Sequence, residues 1–157
     1  MKKKWIVTLM AAVMTMGMAI PVSAEEVTVT YREPNAYTLS IPENVTLTDQ
    51  GGSAQVGVKE VNIEPNTKID FKISAGVDDN GVIELSREND TSTKAVTTVS
   101  TTKGGAEIVK DMVFASFTAD GMKDLYFTAP AAKDGGQMKA GSYAGTITFT
   151  VEAPEKQ

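Results

Sequence analysis

The side chains that could do chemistry in this sequence are carboxylates, amides, hydroxyls and amines. The chain contains no Cys and no His. No thiolate is available as nucleophile or soft metal ligand, and no imidazole as a general base near neutral pH. Ser-His-Asp and Cys-His catalysis are excluded, as are zinc sites of the His/Cys type and haem held by either residue. What remains is carboxylate chemistry and hard-cation binding. Asp78-Asp79-Asn80-Gly81 gathers oxygen ligands in one tight turn, a chemistry that suits calcium, and Asn89-Asp90 would add to it. The segment lacks the spaced acids of an EF-hand loop, and Asn-Gly is a strong hairpin signal, so a hairpin turn is preferred over a metal site. Glycoside hydrolysis needs two carboxylates at a set separation, but with 20 acids in the chain pairs arise by chance. We therefore expect no catalytic residues, no cofactor and no enzymatic activity.

The N-terminus reads as an export signal. Lys2, Lys3 and Lys4 precede an uncharged apolar run, Trp5 to Ile20, and then Pro21-Val22-Ser23-Ala24. A cationic start, an apolar core and small residues at a cut site describe a secretory signal peptide. We expect residues 1–24 to be removed after Ala24, leaving 25–157 as a single domain. The lack of Cys excludes a lipoprotein. Cleavage leaves 133 of the 157 residues and, without the three lysines, 12 basic residues against 20 acidic ones, a net charge of −8. So acidic a domain disfavours nucleic acid and anionic membrane surfaces, and no membrane contact is expected after cleavage. The only Trp, Trp5, leaves with the signal, so tyrosine alone should dominate the absorbance of the mature protein. A domain of this size buries about two-thirds of its unfolded surface and needs no disulfide staple. A Cys-free secreted protein fits a Gram-positive producer.

The elements that must position any site follow a period of two. Apolar residues alternate with polar ones at Val27-Val29-Tyr31, Tyr37-Leu39-Ile41, Val45-Leu47, Val56-Val58 continuing to Val61-Ile63, Ile69-Phe71-Ile73, Ile83-Leu85 and Tyr143-Ile147-Phe149-Val151. Thr fills many of the intervening positions. This pattern predicts antiparallel sheets with one wet face. Turn formers such as Glu64-Pro65-Asn66, Asn80-Gly81 and Asp120-Gly121 separate the candidate strands. Ala106 to Ala119 reads as a further strand, with either Met112 and Phe114 or Val113, Ala115 and Phe117 facing inward. Ser86 to Gly105 is polar and reads as an edge hairpin or a surface loop. Eight or nine strands imply an all-β, two-sheet antiparallel sandwich, immunoglobulin-like, with a jelly roll as the alternative.

Tyr31, Tyr37, Tyr126 and Tyr143 fall mostly on apolar phases, and Tyr37 and Tyr143 are expected to pack on the core with their hydroxyls on a partner. Val27, Val29 and Tyr31 form a short alternating segment at the new N-terminus, separated from the next strand by Glu33-Pro34-Asn35. It is expected either to be the first strand of its own sheet or to be donated to the open edge of a neighbour.

The final segment, Ala140-Gly-Ser-Tyr-Ala-Gly-Thr-Ile-Thr-Phe-Thr-Val-Glu-Ala-Pro154, resembles the closing strand of WxL domains. There a Gly-x-Tyr element precedes a Thr-rich strand. Phe149 stands at the Trp position, Val151 at the Leu position, and Pro154 matches the trailing Pro. Tyr37-Thr-Leu-Ser-Ile-Pro-Glu-Asn-Val-Thr-Leu47 is similar to the opening of small secreted clostridial-type surface proteins. The resemblance implies a Gram-positive surface protein, held non-covalently to the wall. Glu152 to Gln157 carry no LPxTG-type motif, so covalent wall anchoring is not expected. The expected function is adhesion or binding of a wall, surface-protein or glycan partner. The alternative is a structural subunit of a surface fibre or biofilm matrix, a homo-oligomer assembled by donation of the N-terminal strand.

Overall fold

A computed structural model describes residues 28–154. The chain divides into two compact units, Met1–Glu33 and Pro34–Gln157. The expected signal peptide, its cut site and Val27 lie outside the described residues. Within the first unit, residues 28–33 form no strand, and the Tyr31 hydroxyl donates to the Glu33 carboxylate.

The second unit is all-β in its described residues. Its strands are β1 (Ala36–Ser40), β2 (Gly52–Asn62), β3 (Ile69–Ala75), β4 (Val82–Arg87) and β5 (Asp90–Ser100), followed by β6 (Val113–Phe117), β7 (Gly121–Phe127), β8 (Ala131–Ala132), β9 (Tyr143–Ala144) and β10 (Thr148–Glu152). They build two antiparallel sheets. The larger runs β1-β2-β7-β5-β4-β9, with β8 also beside β5, and the smaller runs β10-β3-β6.

Period-two alternation makes the core. Ile69, Phe71 and Ile73 of β3 are buried, as are Val56 and Val58 of β2, Ile83 and Leu85 of β4, Ala95 and Val99 of β5, and Leu125 and Phe127 of β7. Burying one such large side chain contributes about 1.5–3 kcal/mol. Phe71 is the hub of the smaller sheet. Its ring meets Phe114 and Phe117 edge-on, with centroids 6.3 and 5.6 Å away, and Phe114 meets Phe149 at 6.1 Å.

Three of the register irregularities explain where the simple period breaks. In β2 the inward phase passes from Val56 and Val58 to Val61 and Ile63. The register with β1 shifts there, and Glu60 takes a φ of 54°. One extra residue in a strand changes which face every later side chain meets. In β6 the register shifts between Phe71 and Lys72 of its partner, so Phe114 is extra. Phe114 is buried while Ala115 and Phe117 also pack on the core, and each of the two predicted phases is therefore half right. The third bulge lies between β7 and β8. Val99 pairs Phe127 but Val96 pairs Ala131, a slip of one residue around Thr128. The Thr128 hydroxyl accepts from the Thr98 amide at 2.9 Å, and the Thr128 carbonyl accepts from the Thr97 hydroxyl at 2.7 Å.

Several expectations are corrected. Val45 and Leu47 pack against the core but lie in no strand, because the chain crosses from β1 to β2 there and closes a tight turn at Thr48–Gly51. Thr28 to Tyr31, the described part of the expected first strand, forms none. The polar stretch 86–105 is not an edge hairpin or a loop. It contains β5, which has β4 on one side and β7 and β8 on the other. Its low hydrophobicity is tolerated because Thr97, 2% exposed, satisfies its hydroxyl on Thr128. Tyr143 to Val151 is two strands, because the chain leaves the larger sheet after Ala144 and enters the smaller one at Thr148.

Candidate functional site

The acidic turn Asp78-Asp79-Asn80-Gly81 does not form a hairpin. It carries the chain from β3 in the smaller sheet to β4 in the larger one. Asp78 is consumed by that reversal. Its Oδ1 accepts from the Asn80 amide at 2.9 Å and the Val82 amide at 2.8 Å. Its carbonyl accepts from the Gly81 amide at 3.1 Å and the Lys110 amide at 3.3 Å. An Asp side chain that caps the amides two and four residues on is a turn-making group. Among the described residues no group of three or more Asp or Glu converges as a metal-binding cluster. Asp90, the other oxygen donor considered, caps the start of β5. It accepts from the hydroxyls of Ser92 at 2.5 Å and Thr93 at 2.6 Å. These bonds, Ser92 first, hold its carboxyl down at about 2.

Three further carboxylates are tuned by neighbours. Glu84 of β4 lies between two ammonium groups, Lys133, which donates to Oε2, and Lys94, whose Nζ is 3.2 Å from Oε1. The Lys133 bond, then the Lys94 bond, lowers its pKa. Lys94 also donates to the Ser86 hydroxyl at 2.7 Å. Glu84, Lys133, Asp78 and Thr146 border one shallow open depression on the larger sheet. Desolvation works against the charge of Asp70, but hydrogen bonds from Lys68 and Ser116 outweigh it and lower its pKa. Asp120 is lowered by the backbone amides of Val61 and Glu60. Each of these carboxylates is held in its charged form by a structural partner. None is raised towards neutrality, as a general acid requires.

No spacing in the sequence announces the Glu84, Lys94 and Lys133 cluster. Glu84 and Lys133 are brought together by cross-sheet pairing: β4 and β8 flank β5, and their residues are 49 apart in the chain. Its only sequence signal is the polar phase of the strand pattern.

The tyrosines divide as their phases suggest. Tyr37 and Tyr143 pack against the core, and the Tyr143 hydroxyl donates to the Lys139 carbonyl at 2.9 Å. Tyr126 is half-buried. Tyr31 is 60% exposed and Val29 80% exposed.

Among the described strands, large exposed apolar side chains lie at two sheet edges and also at Met122 on interior β7. Leu39 lies on β1, which pairs only β2 among the described strands. Val113 opens β6 and Met112 directly precedes it, and β6 pairs only β3 among the described strands. Leu39 pairs with buried Val58, so it sits on the inward-facing side of the larger sheet, at the rim where the sheet stops. Exposed edges of this kind are where a β protein meets other chains. The chain matches no family model and no curated protein.

Proposed function

We propose that this chain is an exported, non-enzymatic module of the cell surface that works by contact, in adhesion or in binding a wall, surface-protein or glycan partner. The observation that carries the reading is the exposure of Leu39 and Val113 on edge strands β1 and β6, with Met112 just before β6, in an acidic all-β scaffold. Large apolar side chains beside open strand edges give a partner chain something to cover. Asp70, Asp78, Glu84, Asp90 and Asp120, by contrast, are spent on turns, caps and ion pairs. Export and a Gram-positive, WxL-like surface setting rest on Lys2–Ala24 and on the Ala140–Pro154 resemblance. In this reading the two sheets form an immunoglobulin-like sandwich, with the jelly roll as its alternative. The test is co-sedimentation of the protein with purified Gram-positive wall and a screen of its binding to surface glycans. Saturable binding to either supports the module, and none to both rejects it.

A second reading is favoured by one specific observation. Val29 and Tyr31 alternate with Thr28 and Thr30, are exposed, and lie in no strand. An alternating segment of this kind suits donation to a neighbour's sheet, which would make the protein a subunit of a surface fibre.

A further inference from the structure

We propose that the outer edge of β1 is the acceptor for Thr28–Tyr31 of a second copy of this chain. The proposal rests on the strand-donation reading and names the surface that completes it.

β1 spans five residues, Ala36-Tyr37-Thr38-Leu39-Ser40, and carries no charge in a chain that is 22% charged. Natural edge strands are guarded by charges, bulges or shortness. The other edges here are guarded. β9 is two residues long. β10 ends in Glu152, which pairs with Lys72 at 2.6 Å. β6 carries the extra residue of its own bulge, which breaks the outer line of amides and carbonyls. In β1 the register irregularity belongs to β2, where Asn62 to Lys59 spans one residue more than Ala36 to Thr38. β1 itself therefore keeps a regular outer edge.

The donor matches this edge in charge and pattern. Thr28-Val29-Thr30-Tyr31 is also uncharged, so the paired segment itself brings no charge onto β1. Its Val29 is 80% exposed. A strand laid along β1 with Val29 inward sets Val29 beside Leu39, extending the inward row that Leu39 shares with Val58. The contact covers two exposed apolar side chains and adds backbone hydrogen bonds along the edge.

The absence of native Cys allows a direct test by cross-linking. Full-length chains bearing Val29→Cys and Leu39→Cys are mixed and oxidised. The expected product is a disulfide joining the Val29→Cys and Leu39→Cys positions, identified by peptide mass and in excess of the two like-with-like dimers, with no matching mixed disulfide when Leu39→Cys is replaced by Thr91→Cys at the exposed start of β5. Thr30→Cys with Thr38→Cys repeats the test on the opposite face and covers any folding defect of Leu39→Cys. No such mixed disulfide in either pairing overturns the proposal. So does a Val29→Cys/Leu39→Cys double variant that cross-links only as monomer, since the segment then returns to its own β1. Light scattering on the unsubstituted protein separates the two levels. Assemblies without cross-links reject β1 as acceptor but keep strand donation, whereas a monomer at all concentrations rejects both.

Discussion

The carboxylate of Asp120, in the turn between β6 and β7, accepts the backbone amide of Val61 at 2.8 Å. Val61 lies just past the bulge at Glu60, where the inward phase of β2 changes. One side chain from a neighbouring turn thus ties down the irregularity that lets an 11-residue strand serve the core twice. Asp120→Ala should lower the melting temperature, because the bulge amides lose their acceptor. Asp120→Asn should recover most of the loss at neutral pH, since its amide oxygen still accepts. Equal melting of all three proteins would show that the clamp contributes nothing.

The acid limb of stability follows from the carboxylates. Asp90 has a folded pKa of about 2 against an ordinary 3.8, and Asp70, Glu84 and Asp120 are also lowered. A group whose folded pKa is depressed stabilises above its unfolded pKa, and that contribution is lost as pH falls through the folded value. For Asp90 this window runs from about 3.8 down to about 2. With no His to titrate, denaturant midpoints should be level through roughly pH 5–8 and fall steeply only below the ordinary carboxylate range. A midpoint that drops between pH 7 and 5 would contradict this.

Among the described residues Phe71 is the largest fully buried side chain, and it joins two ring contacts. Phe71→Ala should cost about 3–5 kcal/mol in urea unfolding. Phe71→Leu should cost clearly less, because it keeps most of the buried volume. Comparable losses for both would mean that ring geometry, rather than volume, sets the stability of the smaller sheet.

Gly76 and Gly104 make a matched pair. Both have positive φ, 83° and 70°. A Cβ on Gly76 would lie 1.9 Å from the Thr146 carbonyl oxygen, beside the segment where the chain passes between sheets, while a Cβ on Gly104 meets nothing within 4 Å. Gly104→Ala should cost about 1–2 kcal/mol, from backbone conformation alone. Gly76→Ala should cost more, since backbone must move as well. Thermal melts of the two variants give the comparison, and equal shifts would remove the steric argument.

Asp78→Ala should destabilise the fold with or without calcium, because it removes the acceptor of the Asn80 and Val82 amides. Millimolar calcium should leave the unsubstituted protein's melting temperature unchanged. A calcium-dependent rise that disappears in Asp78→Ala would instead restore the metal reading of this turn.

Much of the fold was legible as alternation. Ile69-Phe71-Ile73, Val56-Val58 and Ile83-Leu85 face the core as their period requires, because neighbouring side chains on a strand point to opposite faces. The Cys- and His-free composition alone excluded whole classes of catalysis, since chemistry cannot use side chains that are not there. What alternation cannot encode is which strand pairs with which, and where one extra residue enters. Leu39 follows the same pattern as Ile73, yet ends 41% exposed because β1 is the last of the described strands of its sheet. Thr97 looks like surface, yet is buried because Thr128, 31 residues away, offers its carbonyl. Glu84 meets Lys133 only once β5 lies between their strands. Those outcomes are set by long-range pairing and by the need to satisfy every buried polar group, and only the tertiary structure decides them.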